Sequence, residues 1–123
     1  MLTLLFNLSL SLSLVAANIT QVSPGSIIVT APNYATLQCS ASGLPRPSIT
    51  WFNPNSTSLK SSMDGVTIVN MNVGDRGIVS ALTISETVPS DSGNYTCTAD
   101  NEVVGRGDTN SVGVALTIYG MLL

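Results

Sequence analysis

Histidine is absent from this 123-residue chain. Its absence removes Ser-His-Asp and Cys-His nucleophile systems and every imidazole metal site. Charge is scarce as well: 9% of residues are Asp, Glu, Lys or Arg, against ~25% in ordinary domains. Four basic side chains face seven acidic ones, for a formal net charge of −3. The basic ones form no cluster, so nucleic acid has no electrostatic footprint to meet. The carboxylates are scattered without paired spacing, and Asp91, Asp100 and Asp108 read as turn formers rather than acids or bases. Neither catalysis nor a metal nor a cofactor is expected. Cysteine occurs only twice, and no stretch has the apolar period of an amphipathic helix.

What is present begins with an uncharged run. The first charged residue of the chain is Arg46, and residues 1–17 are apolar apart from Asn, Ser and Thr. Ending in Val15-Ala16-Ala17, they read as a secretory leader cut after a small residue. The alternative is an uncleaved signal anchor, at the lower limit of a span. No later stretch is long and apolar enough to cross a bilayer, because Gly113, Thr117 and Gly120 interrupt the last one. The mature chain, expected to be extracellular, has room for one domain over 18–120. Met121-Leu122-Leu123 forms a short tail where a longer product would be cut.

Past the leader, short apolar alternations are separated by Gly, Pro, Asn and Asp, the rhythm of an all-β sandwich. Expected strands are Ile19 to Gln21, Ile27 to Thr30, Tyr34 to Ala41, one around Ile49 and Trp51, Val66 to Asn70, Ile78 to Ile84, one carrying Tyr95, Cys97 and Ala99, and Val112 to Ile118. Leu37, Cys39 and Ala41 share one face of theirs, as do Ile78, Leu82 and Ile84. Gly43 to Pro47 and Met71 to Gly77 read as turn segments, and Asn53 to Ser62 as a polar loop or a weak further strand.

The organising stretch is Asp91-Ser92-Gly93-Asn94-Tyr95-Thr96-Cys97. A tyrosine two residues before a cysteine on one strand face is the spacing of a tyrosine corner. Trp51 follows Cys39 in the run Gly43-x-Pro45-x-Pro47-x-Ile49-x-Trp51, and Ser80-x-Leu82-x-Ile84 precedes the second cysteine. With these in register, the chain resembles immunoglobulin domains, the intermediate set (I-set) specifically, from about Ser23 to Tyr119.

The resemblance implies an immunoglobulin-like Greek-key β-sandwich of two antiparallel sheets, with Trp51, Tyr95 and Leu82 in the core and Trp51 packed on a Cys39–Cys97 bridge. The leader argues for that single disulfide in an oxidising compartment, the alternative being two buried thiols. One departure stands out: Met63-Asp64-Gly65-Val66 lacks the basic residue that many members place there to pair with the aspartate before strand F. Asp91 is then unpaired or bonded only to local backbone.

Three surface features remain. Asn-x-Ser/Thr sequons occur at Asn55, Asn94 and Asn18, with another at Asn7 inside the leader. Asn101 to Gly105 resembles the F–G hairpin turn, and Arg106-Gly107-Asp108 follows it. At a hairpin tip such a triplet presents a guanidinium and a carboxylate at the ends of one turn, as integrin ligands do; a Gly-rich turn beside strand G explains the same letters. The expected function is an extracellular recognition module of an adhesion molecule or receptor, with a protein ligand or a homophilic partner, by sheet extension at strand G. The rival readings are a passive spacer and the ligand-binding part of a longer receptor.

Overall fold

Alternation drives the architecture. Gly77–Ile84 reads half-buried, buried, half-buried, buried throughout, with Ile78, Ser80, Leu82 and Ile84 inward, because successive side chains of a strand point to opposite faces. The computed structural model describes residues 14–102 and 109–120. Within them lie β1 (Val15–Ser23), β2 (Ser26–Thr30), β3 (Ala35–Leu44), β4 (Ser48–Phe52), β5 (Val66–Val73), β6 (Gly77–Ile84), a 3₁₀ turn at Pro89–Asp91, β7 (Gly93–Asp100) and β8 (Thr109–Tyr119).

They form two four-stranded sheets, ordered β1-β3-β6-β5 and β2-β8-β7-β4. Every pair is antiparallel except β2 with β8, which runs parallel. The chain changes sheet between β1 and β2 at Pro24-Gly25, where proline has no N–H to give a ladder. Leu37, Cys39, Trp51, Leu82, Tyr95, Cys97, Val114 and Leu116 fill the space between the sheets.

The disulfide joins Cys39 on β3 to Cys97 on β7, with Cα atoms 6.5 Å apart and a sequence separation of 58. Closing a loop of that length stabilises the fold by about 4 kcal/mol on chain-entropy grounds. Trp51 lies in the same cluster as both cysteines, fully buried. Its indole N–H donates to the Ser80 hydroxyl at 3.0 Å, which satisfies a donor that burial would otherwise leave stranded.

Several elements differ from the sequence expectation. The first strand starts at Val15, inside the stretch read as leader, and Ala17 is buried with Ala41, Ile78 and Ala99. A cut after Ala17 falls within β1. β3 runs on through Gly43-Leu44 because the added strand length gives it Leu44 to set opposite Val15 and Ser42 opposite Asn18. β5 extends to Val73 rather than Asn70, since its ladder with β6 continues to Val73 opposite Gly77. Only Gly74 to Arg76 turn, with Gly74 at φ 61° supplying the left-handed residue. In the polar loop after β4, a single bridge, Phe52 to Ser58, replaces a further strand.

Candidate functional site

The tyrosine corner is assembled by the chain entering β7. The Tyr95 hydroxyl donates to the Asp91 carbonyl at 2.6 Å. Burial, with the Asp91 carboxylate beside it, pushes the phenol up to about 12. The Asp91 carboxylate itself accepts the Val88 N–H at 2.9 Å, a bond to local backbone. Ser92 fastens the corner to β8, its hydroxyl accepting the Ile118 N–H at 2.8 Å.

At the opposite end, two residues not singled out for a role in the sequence act as ties. Asn101 is buried, and its side-chain N–H groups donate to the carbonyls of Val15 at 2.6 Å and Pro45 at 3.1 Å. It thereby holds β1 and the β3–β4 connection to the end of β7. Its Oδ1 has no partner among the described residues. Asn101 continues the parity of Tyr95, Cys97 and Ala99, which is the signal that marks it as inward. Arg46 reaches the β5–β6 hairpin, donating to Gly77 O at 3.1 Å and Gly74 O at 2.5 Å.

The outward faces of the two sheets lie away from the core. On the β4–β7–β8 side they carry Thr50, Thr96, Thr98, Ser111, Gly113 and Ala115, with Thr98 and Ser111 hydrogen-bonded at 2.9 Å. On the other sheet, Val69, Met71 and Val73 of β5 are exposed. β8 is not an open edge: over Ala115 to Tyr119 its outer side is taken by β2. Extension of the sheet at strand G, expected from the sequence, is therefore blocked there, and the outermost strands are β1, β5, β2 and β4.

The sequon asparagines Asn18, Asn55 and Asn94 are exposed. Asn55 sits in a turn built by Asn53, whose side-chain oxygen accepts the N–H groups of Asn55 at 3.0 Å and Thr57 at 2.9 Å. Asn94 lies on the outward face of β7 opposite Ala115, and Asn18 lies on β1 opposite Ser42. The β7–β8 ladder ends with Asp100 opposite Thr109; Arg106, Gly107 and Asp108 lie outside the described residues, as does the 103–105 part of the expected turn. A cleft of about 470 Å³ at the corner end is lined by Asp64, Glu86 and Asp91 over Val66, Ile84 and Tyr95. Among the described residues no group of His, Cys, Asp or Glu could hold a metal ion, and no helix is long and apolar enough to cross a membrane.

This constellation of two sheets, one inter-sheet disulfide, a buried indole on the bridge and a tyrosine corner defines an immunoglobulin-type sandwich. A family profile described as "Immunoglobulin domain" matches residues 18–101, and the chain belongs to that family. It is 34% identical over 96 residues to human Brother of CDO, covering 78% of this chain and 7% of that protein. It is 40% identical over 70 residues to neural cell adhesion molecule 1 of Gallus gallus, covering 55% of this chain and 6% of that protein. The chain thus spans less than a tenth of the length of these relatives. Among solved structures, the complex of Dpr2 Ig1-Ig2 with DIP-Theta Ig1-Ig3 superposes with a TM-score of 0.73 at 21% identity, over 86% of this chain and 32% of that one. At that identity the likeness is one of fold.

Proposed function

We propose that this domain is an extracellular protein-recognition module of the intermediate set, without catalysis, serving adhesion or a receptor ectodomain. The observation that carries the reading is how its distinctive side chains are engaged. Cys39 with Cys97, Trp51 with Ser80, Tyr95 with Asp91, Arg46 with the hairpin and Asn101 with Val15 all act inside the fold. Sheet faces and end loops are left to meet a protein, which is where folds of this kind carry binding. Similarity to a protein named as a cell adhesion molecule supports the same reading. The test is binding of the purified chain to an array of cell-surface ectodomains that includes the chain itself. Saturable binding is expected; silence across the array from a folded, disulfide-bonded sample makes a passive spacer the better description.

The reading includes export directed by the apolar N-terminal run and N-glycans at Asn55, Asn94 and Asn18, with Asn55 the best placed because it lies in a turn and the other two in strands. Glycosidase treatment of secreted protein should lower its mass by one glycan per occupied site. It also includes integrin recognition through Arg106-Gly107-Asp108. Integrin-bearing cells should adhere to the wild-type chain and not to Asp108→Glu; equal adhesion to both removes integrin from the partners.

A further inference from the structure

β5 is an outer strand, and its two edges differ. One is paired along its length with β6, from Val66 opposite Ile84 to Val73 opposite Gly77. The other would be a bare row of N–H and C=O groups, a template for a further strand. Half of that row is closed. The Val66 N–H donates to the Met63 carbonyl at 3.2 Å. The Ser61 hydroxyl accepts the Ile68 N–H at 2.9 Å and donates to the Ile68 carbonyl at 3.3 Å. By the alternation of an antiparallel ladder, the outward groups beyond Ile68 are those of Asn70 and Asn72, and they remain open among the described residues.

The open half lacks the usual guards. Val66 to Val73 contains no charge and no proline, the devices by which edge strands repel company. Its outward side chains are apolar and bare: Val69 is 57%, Met71 63% and Val73 52% exposed, and Val79 and Ala81 of β6 lie beside them, half-buried. The ends of the strand are of opposite character. Past Val73 come Arg76 and the Arg46 guanidinium on the hairpin carbonyls, against the single carboxylate of Asp75. Before Val66, Asp64 shares the corner cleft with Glu86 and Asp91, with Lys60 the cation on that side.

We propose that the open half of β5 is a homophilic interface, at which a second copy of this chain pairs antiparallel about a two-fold axis near Asn72. The proposal rests on the recognition reading above and names its partner. An antiparallel dyad sets Met71 of each copy beside Val73 of the other on one continuous apolar strip, and turns each copy's basic hairpin toward the partner's acidic end. A neutral strand meets itself without like-charge repulsion, and each strand end points toward a partner end of opposite charge; that self-complementarity is what an isologous contact requires. Ser61 fixes the register, because it occupies the backbone of Ile68 and stops the partner strand from sliding further. A junction of one short strand falls below the ~1,200 Å² of stable interfaces, so the association is weak and concentration-dependent. It gains strength where several copies are held on one surface.

The experiment is sedimentation velocity of the purified full chain over a concentration series to about 1 mM, the millimolar range of weak association. A reversible dimer is expected. Met71→Lys, which brings two like charges to the axis, should raise the dimer dissociation constant about tenfold or more. Asn72→Pro removes only an outward N–H and should do the same. Thr98→Lys on the opposite sheet should leave it unchanged. An intact Cys39–Cys97 bridge and unaltered circular dichroism in the variants show that folding is not the cause. A wild-type chain that stays monomeric throughout overturns the interface. So does a dimer that survives Met71→Lys, or one that Thr98→Lys abolishes. Capture of a different ectodomain by a monomeric chain counts for the recognition reading and against this one, whereas failure of both assays removes both.

Discussion

The centre of the sandwich and its outer strand β5 use the same alternation to different ends. At the centre, the inward face of β6 holds Ile78, Ser80, Leu82 and Ile84, all buried, and each meets a partner from the other sheet or its own. One strand outward, Val69, Met71 and Val73 of β5 face solvent instead, while Asn70 and Asn72 take the inward parity of Val66 and Ile68 and remain exposed. Beyond Ile68, no facing strand among the described residues covers them, because β4 is short and is followed only by a single bridge. Hydrophobicity on a strand thus marks the core only where a second layer lies opposite. Elsewhere, as on β5, it marks the surface here proposed as a contact.

That contrast can be broken by substitution, most strongly at the centre. Replacing Cys39 and Cys97 by alanine should cost about 4 kcal/mol, and Trp51→Ala about 3–5 kcal/mol. Urea melts showing under ~1 kcal/mol for both would place the core elsewhere. Ser80→Ala strands the buried indole N–H and should cost about 1–3 kcal/mol, with Ser80→Thr tested alongside to see whether a hydroxyl restores it. Asn101→Ala removes both bonds to the Val15 and Pro45 carbonyls. About 1–2 kcal/mol is expected, together with faster hydrogen exchange at the β1 amides and not at those of β7.

A pH scan sharpens the same contrast. The Tyr95 phenol is raised in the fold to about 12 from an ordinary 10.0. Folding therefore favours its neutral form: the contribution is complete below pH 10 and is lost as pH climbs through 12. Stability measured between those limits should fall more steeply for the wild type than for Tyr95→Phe. At the outer strand the effects should be smallest. Val69→Thr and Val73→Thr are each expected to change stability by less than about 0.5 kcal/mol, so a larger loss would mean that this strip is packed in the isolated domain.

Much of the centre was legible because parity is enough for it. Leu37 with Cys39, Leu82 with Ile84 and Tyr95 with Cys97 alternate cleanly, and burial follows the letters. Parity says nothing about strand order, so it could not show that β2 lies against β8 and closes an edge that seemed open. Nor does it separate leader from strand in Val15-Ala16-Ala17, where the same small apolar letters serve either purpose. The Gly74-Asp75-Arg76-Gly77 letters drew the turn too wide, although a ladder needs only backbone and ran on to Val73. Asn101 and Ser61 were harder still, since each acts through a bond to a carbonyl or amide far away or across a loop.

The small alcohol of Ser61 has a consequence for how the material behaves in bulk. By taking up both main-chain groups of Ile68 it leaves a docking stretch just long enough for one mate, and a mated pair has no spare length of that strand to offer a third chain. Concentrated stocks should therefore stay clear. Swapping this serine for alanine would lengthen the sticky stretch and shorten the shelf life, with turbidity growing from the side of the molecule that the hydroxyl now keeps quiet.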